Sequence, residues 1–121
     1  TAVLAGLAYT SSGALLEELI FRWLLMAWVA RVGGPLAGMA VQATLFGLIH
    51  AAPMIACQAP IQVALYAFVM PLVCALVFGW LTAASGGVAC AWMVHWALNY
   101  IALVSALRSG RKEGPSAELR E

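Results

Sequence analysis

The chain consists of long apolar runs separated by short breaks rich in glycine, proline and serine. Each run is roughly 20 residues long, which is the length that an α-helix needs to cross the hydrocarbon of a bilayer. The breaks lie at residues 32–35, 53–60 and 84–87. The pattern therefore predicts four membrane-spanning helices, at residues 12–31, 35–52, 61–82 and 88–107.

Local signals set the expected ends of these spans. Hydroxyl side chains at residues 10–12 are suited to an N-cap, so the first complete span is expected to begin near residue 12. Residues 1–9 then either end an earlier helix or continue this one. Pro35 suits a first helical turn, and Pro53 is expected to stop the second span. Pro71 is expected to kink the third span.

Composition strengthens the membrane interpretation. The chain is 64% hydrophobic and 9% charged, with no Asp, Glu, Lys or Arg between Val32 and Leu107. A water-facing surface cannot be built from such a stretch. The predicted fold class is an all-α, polytopic transmembrane helix bundle of about four spans. Its core is expected at residues 1–108, followed by a solvated charged tail at residues 109–121.

Two classes of function are disfavoured by charge and cysteine usage. The net charge is +1 and the basic residues form only a short tail, which argues against a nucleic-acid partner. The three cysteines are odd in number and widely spaced, so they indicate neither a disulfide framework nor a CxxC metal site.

One charged cluster lies inside a predicted span, in the sequence EELIFR. Each ionised side chain at the centre of a membrane helix costs roughly 2.5–3.5 kcal/mol on insertion scales. The presence of Glu17, Glu18 and Arg22 inside one span therefore requires a structural or functional explanation. Glu18 and Arg22 are spaced i,i+4 and are expected to face each other, while Glu17 points elsewhere. A buried ion pair alone would explain Glu18 with Arg22 but would leave Glu17 unexplained.

Two further motifs carry polar side chains. FGLIH places His50 near the end of the second span, one turn after Phe46, and HWALN places His95 and Asn99 on one face of the fourth span. Alone, His50 suits interfacial packing, and His95 with Asn99 suits an interhelical hydrogen-bond pair. Jointly, a carboxylate, two histidines and an amide suit hydrolysis, which needs a base for water and donors for an oxyanion.

With these motifs the chain resembles the CAAX prenyl endopeptidase and bacteriocin-processing (CPBP, or ABI) intramembrane proteases. Their pattern is EExxxR, then FxxxH, then HxxxN, and here the motifs read EELIFR, FGLIH and HWALN in that order. The resemblance covers about residues 14–103. It implies a helical membrane bundle with a polar cavity that cuts peptide bonds of membrane-tethered substrates. It also implies additional membrane helices before the EExxxR segment.

The resemblance also implies catalytic roles. Glu17 would activate water together with His50, Glu18 and Arg22 would support Glu17, and His95 with Asn99 would stabilise the oxyanion. Names used within the family often include metalloprotease. This suggests an alternative in which a zinc ion is bound by Glu17, His50 and His95. No HExxH motif is present, so water activation by glutamate is favoured. No cofactor is assigned, and Zn²⁺ stays open.

The leading hypothesis is thus a CAAX-type intramembrane peptidase whose substrate is prenylated or carries a leader or tail. A second hypothesis is a catalytically silent membrane scaffold or immunity-type binding protein of the same fold, and a third is a proton or ion conduit. The expected partners are the lipid bilayer and a membrane-tethered substrate. The expected location is the bacterial cytoplasmic membrane, with the active site facing the cytoplasm because the tail is basic.

Overall fold

The computed structural model describes the backbone of residues 2–112 and the side chains of residues 4–109. Across this range the chain forms helices joined by short connections, which confirms the predicted all-α class. The elements are α1 at Ala2–Glu18, a π-helical segment at Leu19–Met26, α2 at Ala27–Gly33, α3 at Pro35–Ala56, α4 at Ile61–Ser85 and α5 at Ala89–Lys112. The first three run on from one another without a break, so four helical stretches make up the bundle.

The helices suit a bilayer. Three stretches, Pro35–Ala56, Ile61–Ser85 and Ala89–Ser109, are long and apolar enough to cross a membrane. Large apolar side chains such as Leu36 and Trp28 are exposed, whereas Glu18, Arg22 and Gln42 are fully buried. Because lipid is as apolar as leucine, an apolar outside with polar groups inside is the arrangement expected of a membrane bundle. The protein is therefore an integral membrane protein.

The first helix begins ten residues earlier than the hydroxyl-rich segment predicted. Thr10 Oγ1 donates to the Gly6 carbonyl at 2.8 Å, and Ser12 Oγ donates to the Tyr9 carbonyl at 3.2 Å. These hydroxyls bond backwards to the preceding helical turn and do not cap a helix start. The expectation of a start near residue 12 is wrong, and residues 2–9 continue the same helix.

The C-terminal ends of α3, α4 and α5 lie beyond the ends of the predicted spans. Helix α3 continues past Pro53 to Ala56, because proline removes only one N–H bond and the Cys57 N–H still bonds to the Pro53 carbonyl at 3.0 Å. Helix α4 contains Pro71 and ends at Ser85, where Gly86 follows with a positive φ of 74° that suits glycine. Helix α5 takes in residues 109–112 of the predicted tail, since no proline occurs before Pro115. Residues 113–121 lie outside the described part.

Small residues bring α3 close to its neighbours. A Cβ added at Gly38 would lie 2.6 Å from the Met26 carbonyl oxygen, and one at Gly47 would lie 2.8 Å from the Phe68 carbonyl oxygen. Backbone atoms cannot move aside as a flexible side chain can, so both positions require glycine. Gln42 adds a polar link, donating from Nε2 to the Ala75 carbonyl of α4 at 2.9 Å.

We expect Gly38→Ala to destabilise the bundle by about 1–3 kcal/mol, because the new methyl group would push α3 away from the π segment and α2. Gly13→Ala is the matched control, since a Cβ there meets nothing within 4 Å. Thermal unfolding of both variants in the same detergent measures the difference. Equal stability of Gly38→Ala and Gly13→Ala would contradict the close packing.

Candidate active site

The charged cluster lies where α1 passes into the π segment. Glu18 ends α1 and Arg22 belongs to the π segment, and Arg22 Nε lies 3.2 Å from Glu18 Oε2. Both side chains are shielded from solvent, so the pairing expected from the i,i+4 spacing is present. Extended π-helical stretches are rare and frequently mark functional sites.

His95 of α5 joins the two glutamates. Its Nδ1 lies 2.8 Å from Glu18 Oε1, and its Nε2 lies 3.6 Å from Glu17 Oε2, just beyond hydrogen-bond distance. The Glu17 side chain is 37% exposed, whereas that of Glu18 is fully buried. The two carboxylates therefore differ in environment: Glu18 is buried inside the site, and Glu17 lies at its surface.

These contacts constrain the protons of the cluster. His95 Nδ1–H donates to Glu18 Oε1, while Glu18 Oε2 forms the ion pair with Arg22, and this arrangement directs His95 Nε2 toward Glu17. Glu17 Oε2 and His95 Nε2 face each other 3.6 Å apart beside the ion pair of Glu18 and Arg22. Glu17 and His95 are therefore placed to pass a proton between them.

Aromatic rings enclose the guanidinium and one face of His95. Arg22 Cζ lies 4.6 Å from the ring centroid of Phe46, 5.2 Å from Phe78 and 5.9 Å from Phe21. Such distances give cation–π attraction to a desolvated cation. The Phe78 ring also stacks on His95, with centroids 4.9 Å apart and planes 20° apart. Phe78 was missed by sequence reasoning because it lies in an apolar run without a polar neighbour.

His50 stands apart from the cluster. It is exposed, its Nδ1–H donates to the Phe46 carbonyl at 2.8 Å, and its ring lies 4.4 Å from that of Phe46. It lines a cavity of about 490 Å³ together with His95 and Asn99. Within the described residues no hydrogen bond or ion pair joins His50 to Glu17. The predicted partnership of Glu17 and His50 is thus spatially indirect.

Asn99 connects two cavities. It lines the cavity of His50 and also a neighbouring cavity of about 300 Å³ that is lined by Glu17 and Thr10. Glu17 and His50 therefore line two different cavities that share Asn99 as a lining residue. Gln42, a fully buried polar side chain of α3, is engaged with the Ala75 carbonyl of α4.

The described residues do not assemble a zinc site. No group of three or more His, Cys, Asp or Glu side chains with metal-binding geometry occurs among them. His50 Nδ1 is taken up by a backbone carbonyl, and His95 Nδ1 is taken up by Glu18. In this arrangement Glu17, His50 and His95 do not fit the tetrahedral coordination of a zinc ion.

The fold and this site define a class of polytopic membrane proteins in which a carboxylate–histidine centre is enclosed by lipid-facing helices. Within that class the chain belongs to the family described as type II CAAX prenyl endopeptidase Rce1-like, whose sequence model matches residues 1–101. The match includes all six predicted site residues. No curated protein and no solved structure matches the chain. The match supports a CAAX-type intramembrane endopeptidase at the level of the family.

Proposed function

We propose that the protein hydrolyses a peptide bond of a membrane-associated substrate with a water molecule activated by Glu17. The observation that carries the proposal is the contrast between the two glutamates. Glu18 is buried between Arg22 and His95, whereas Glu17 is partly exposed, lines a cavity and has its Oε2 3.6 Å from His95 Nε2. A general base must be reachable by its water, and the partly exposed Glu17 beside a cavity meets this condition.

The charges of the cluster suit the reaction. In the resting form Glu17 is a carboxylate and His95 carries a proton on Nε2, so the cluster is neutral. A water oxygen attacks the carbonyl carbon, its proton passes to Glu17, and the carbonyl oxygen becomes an oxyanion. The positive charge that the cluster gains balances the negative charge of the oxyanion. His95 Nε2–H and the Asn99 amide then donate to that oxyanion.

The second half of the reaction returns the proton. The carbon–nitrogen bond breaks, and the leaving amine takes the proton that Glu17 holds, which restores the carboxylate. His50 would orient the attacking water, because its Nδ1–H donates to Phe46 and its Nε2 is therefore the acceptor of the neutral ring. These reaction steps require no covalent intermediate between the enzyme and the substrate.

The surroundings of the site support a membrane-tethered substrate, prenylated or bearing a leader or tail. The cavity of His50 has walls of apolar side chains such as Met70 and Leu98, and it opens between helices whose outer faces suit lipid. A peptide anchored in the bilayer meets such a cavity by lateral diffusion. A soluble peptide lacks that advantage.

We expect Asn99→Ala to lower kcat by about 10²–10³-fold with little change in KM, because the amide would act on the oxyanion and not on the bound substrate. Asn99 is only partly buried, so stability should change little. Cleavage kinetics and a thermal melt measure both quantities. Ile101→Ala, at an exposed position of the same helix that lines neither cavity, serves as the control. An unchanged kcat in Asn99→Ala would remove this residue from the mechanism.

We further propose that the site faces the cytoplasm of a bacterial cell. His50 lies in the last two turns of α3, and Arg108 lies toward the C-terminal end of α5 on the same side of the bundle. The positive-inside rule places that side in the cytoplasm. Cys57 directly follows α3 and is exposed, so it reports on this side.

A membrane-impermeant maleimide should therefore label Cys57 in inverted membrane vesicles but not in intact spheroplasts. Cys74 and Cys90 are only partly exposed and lie within helices, and Cys57→Ser shows how much label they take up. Labelling of Cys57 in intact spheroplasts but not in inverted vesicles would show that the site faces away from the cytoplasm.

A further inference from the structure

A cavity on the other side of the bundle has no part in the proposed reaction. Its volume is about 550 Å³, and it lies between the π segment with α2, the end of α4 and the start of α5. Arg22 lines it from the buried side and Arg31 from the exposed side. Thr82, Gly86 and Gly87 complete its polar wall. Among the described residues no acidic side chain lines it.

Hydrogen-bond donors at this cavity lack partners. Arg22 forms an ion pair with Glu18 through Nε at 3.2 Å, but Nε, Nη1 and Nη2 are all buried and make no hydrogen bond within the described residues. Thr82 Oγ1 is likewise buried without a partner there. Buried polar groups are nearly always hydrogen-bonded, because desolvating one without compensation is costly. Two unpaired guanidinium nitrogens and a hydroxyl at one cavity indicate a missing acceptor.

The start of α5 adds further positive character. The Trp92 N–H bonds to the Val88 carbonyl at 2.8 Å, so the N–H groups of the preceding turn have no carbonyl within the helix. Helix N-termini favour anions through these groups and through the helix dipole. Access is open, because a Cβ placed at Gly87 would meet nothing within 4 Å.

We infer that this cavity binds a phosphate group, and that the phosphate belongs to a membrane phospholipid. Phosphate oxygens accept from guanidinium, hydroxyl and helix N-terminal groups alike. The cavity is lined by the connection between two candidate membrane spans, Ile61–Ser85 and Ala89–Ser109, and such a connection is expected at the headgroup level of a bilayer. Exposed Trp23 and Trp28 line it, as expected of aromatic side chains at a membrane interface. Its remaining wall is apolar, which suits the adjoining acyl chains.

The test uses the purified full chain in a phosphate-free maltoside detergent. Three probes are compared at equal concentration by thermal melting and native mass spectrometry: dioleoylphosphatidylglycerol, dioleoylglycerol and inorganic phosphate. The variants are Arg31→Gln and Thr82→Val. Arg108→Gln is the matched control, because it also removes an exposed arginine at a helix end but does not line the cavity.

One bound phosphatidylglycerol and a higher melting temperature are expected for the wild type and Arg108→Gln, with no shift from dioleoylglycerol. Binding should weaken about tenfold in Arg31→Gln and several-fold in Thr82→Val, since each removes one hydrogen bond to a charged group. An equal loss in Arg31→Gln and Arg108→Gln would overturn the site in favour of general surface attraction. An equal shift from inorganic phosphate would keep the phosphate site but overturn its assignment to a lipid.

Discussion

Glu17→Gln is expected to abolish measurable peptide-bond cleavage while leaving the bundle folded. The amide cannot accept the proton of water, and loss of a general base typically lowers kcat by about 10²–10⁴-fold. The fold should survive because Glu17 is partly exposed and its contact with His95, at 3.6 Å, is longer than a hydrogen bond. Cleavage of a bilayer-anchored peptide and a thermal melt of the same preparation measure the two effects.

Glu18→Gln is the matched control, since it makes the same chemical change one residue along. Glu18 is buried between Arg22 and His95, so its neutralisation should lower the melting temperature as well as the activity. Activity retained in Glu17→Gln at near wild-type level would remove Glu17 as the base. Equal loss of stability in both variants would show that the two carboxylates do not have the separate roles assigned to them.

Arg22→Leu is expected to lower the free energy of unfolding by about 3–5 kcal/mol, because it leaves the Glu18 carboxylate buried without its counter-ion. The substitution also removes the cation enclosed by Phe46 and Phe78. Reversible unfolding in mixed micelles measures this loss. Arg108→Gln, an exposed arginine near the end of α5, should change stability by less than about 0.5 kcal/mol.

The double variant Glu18→Gln with Arg22→Leu separates pairing from packing. If the cost of Arg22→Leu comes from the unpaired carboxylate, the double variant should be more stable than Arg22→Leu alone. A double variant whose loss equals the sum of the two single losses would show that the residues act independently. That outcome would contradict the ion pair as the organising contact of the site.

Much of the fold was predictable because a bilayer imposes a simple length rule. Apolar runs of roughly 20 residues gave three of the helices nearly at their observed positions. The helix ends were less predictable, since their signals were ambiguous. The hydroxyls of Thr10 and Ser12 fit an N-cap, yet inside a continuous helix they bond to carbonyls one turn earlier. Pro53 fits a stop, yet near a helix end it removes a single bond.

The pairing of Glu18 with Arg22 was predictable because it depends only on the spacing along one helix. The hydrogen bond of His95 with Glu18 was not, because it joins residues 77 positions apart and depends on how α5 packs against α1. Phe78 carries no polar signal in the sequence, and only the fold shows that it touches both Arg22 and His95. The π segment was equally hidden, since its residues resemble those of an ordinary apolar helix.

The most direct test of glutamate-activated hydrolysis is cleavage in ¹⁸O-labelled water, followed by mass spectrometry of both products. Prenylated and unprenylated bilayer-anchored peptides are incubated with wild type, with Glu17→Gln, and with wild type plus a chelator. We expect wild type to release product with one ¹⁸O in the new carboxyl group, with or without the chelator, and Glu17→Gln to release none. Cleavage lost with the chelator and restored by zinc, or no cleavage of any peptide by wild type, would contradict the account.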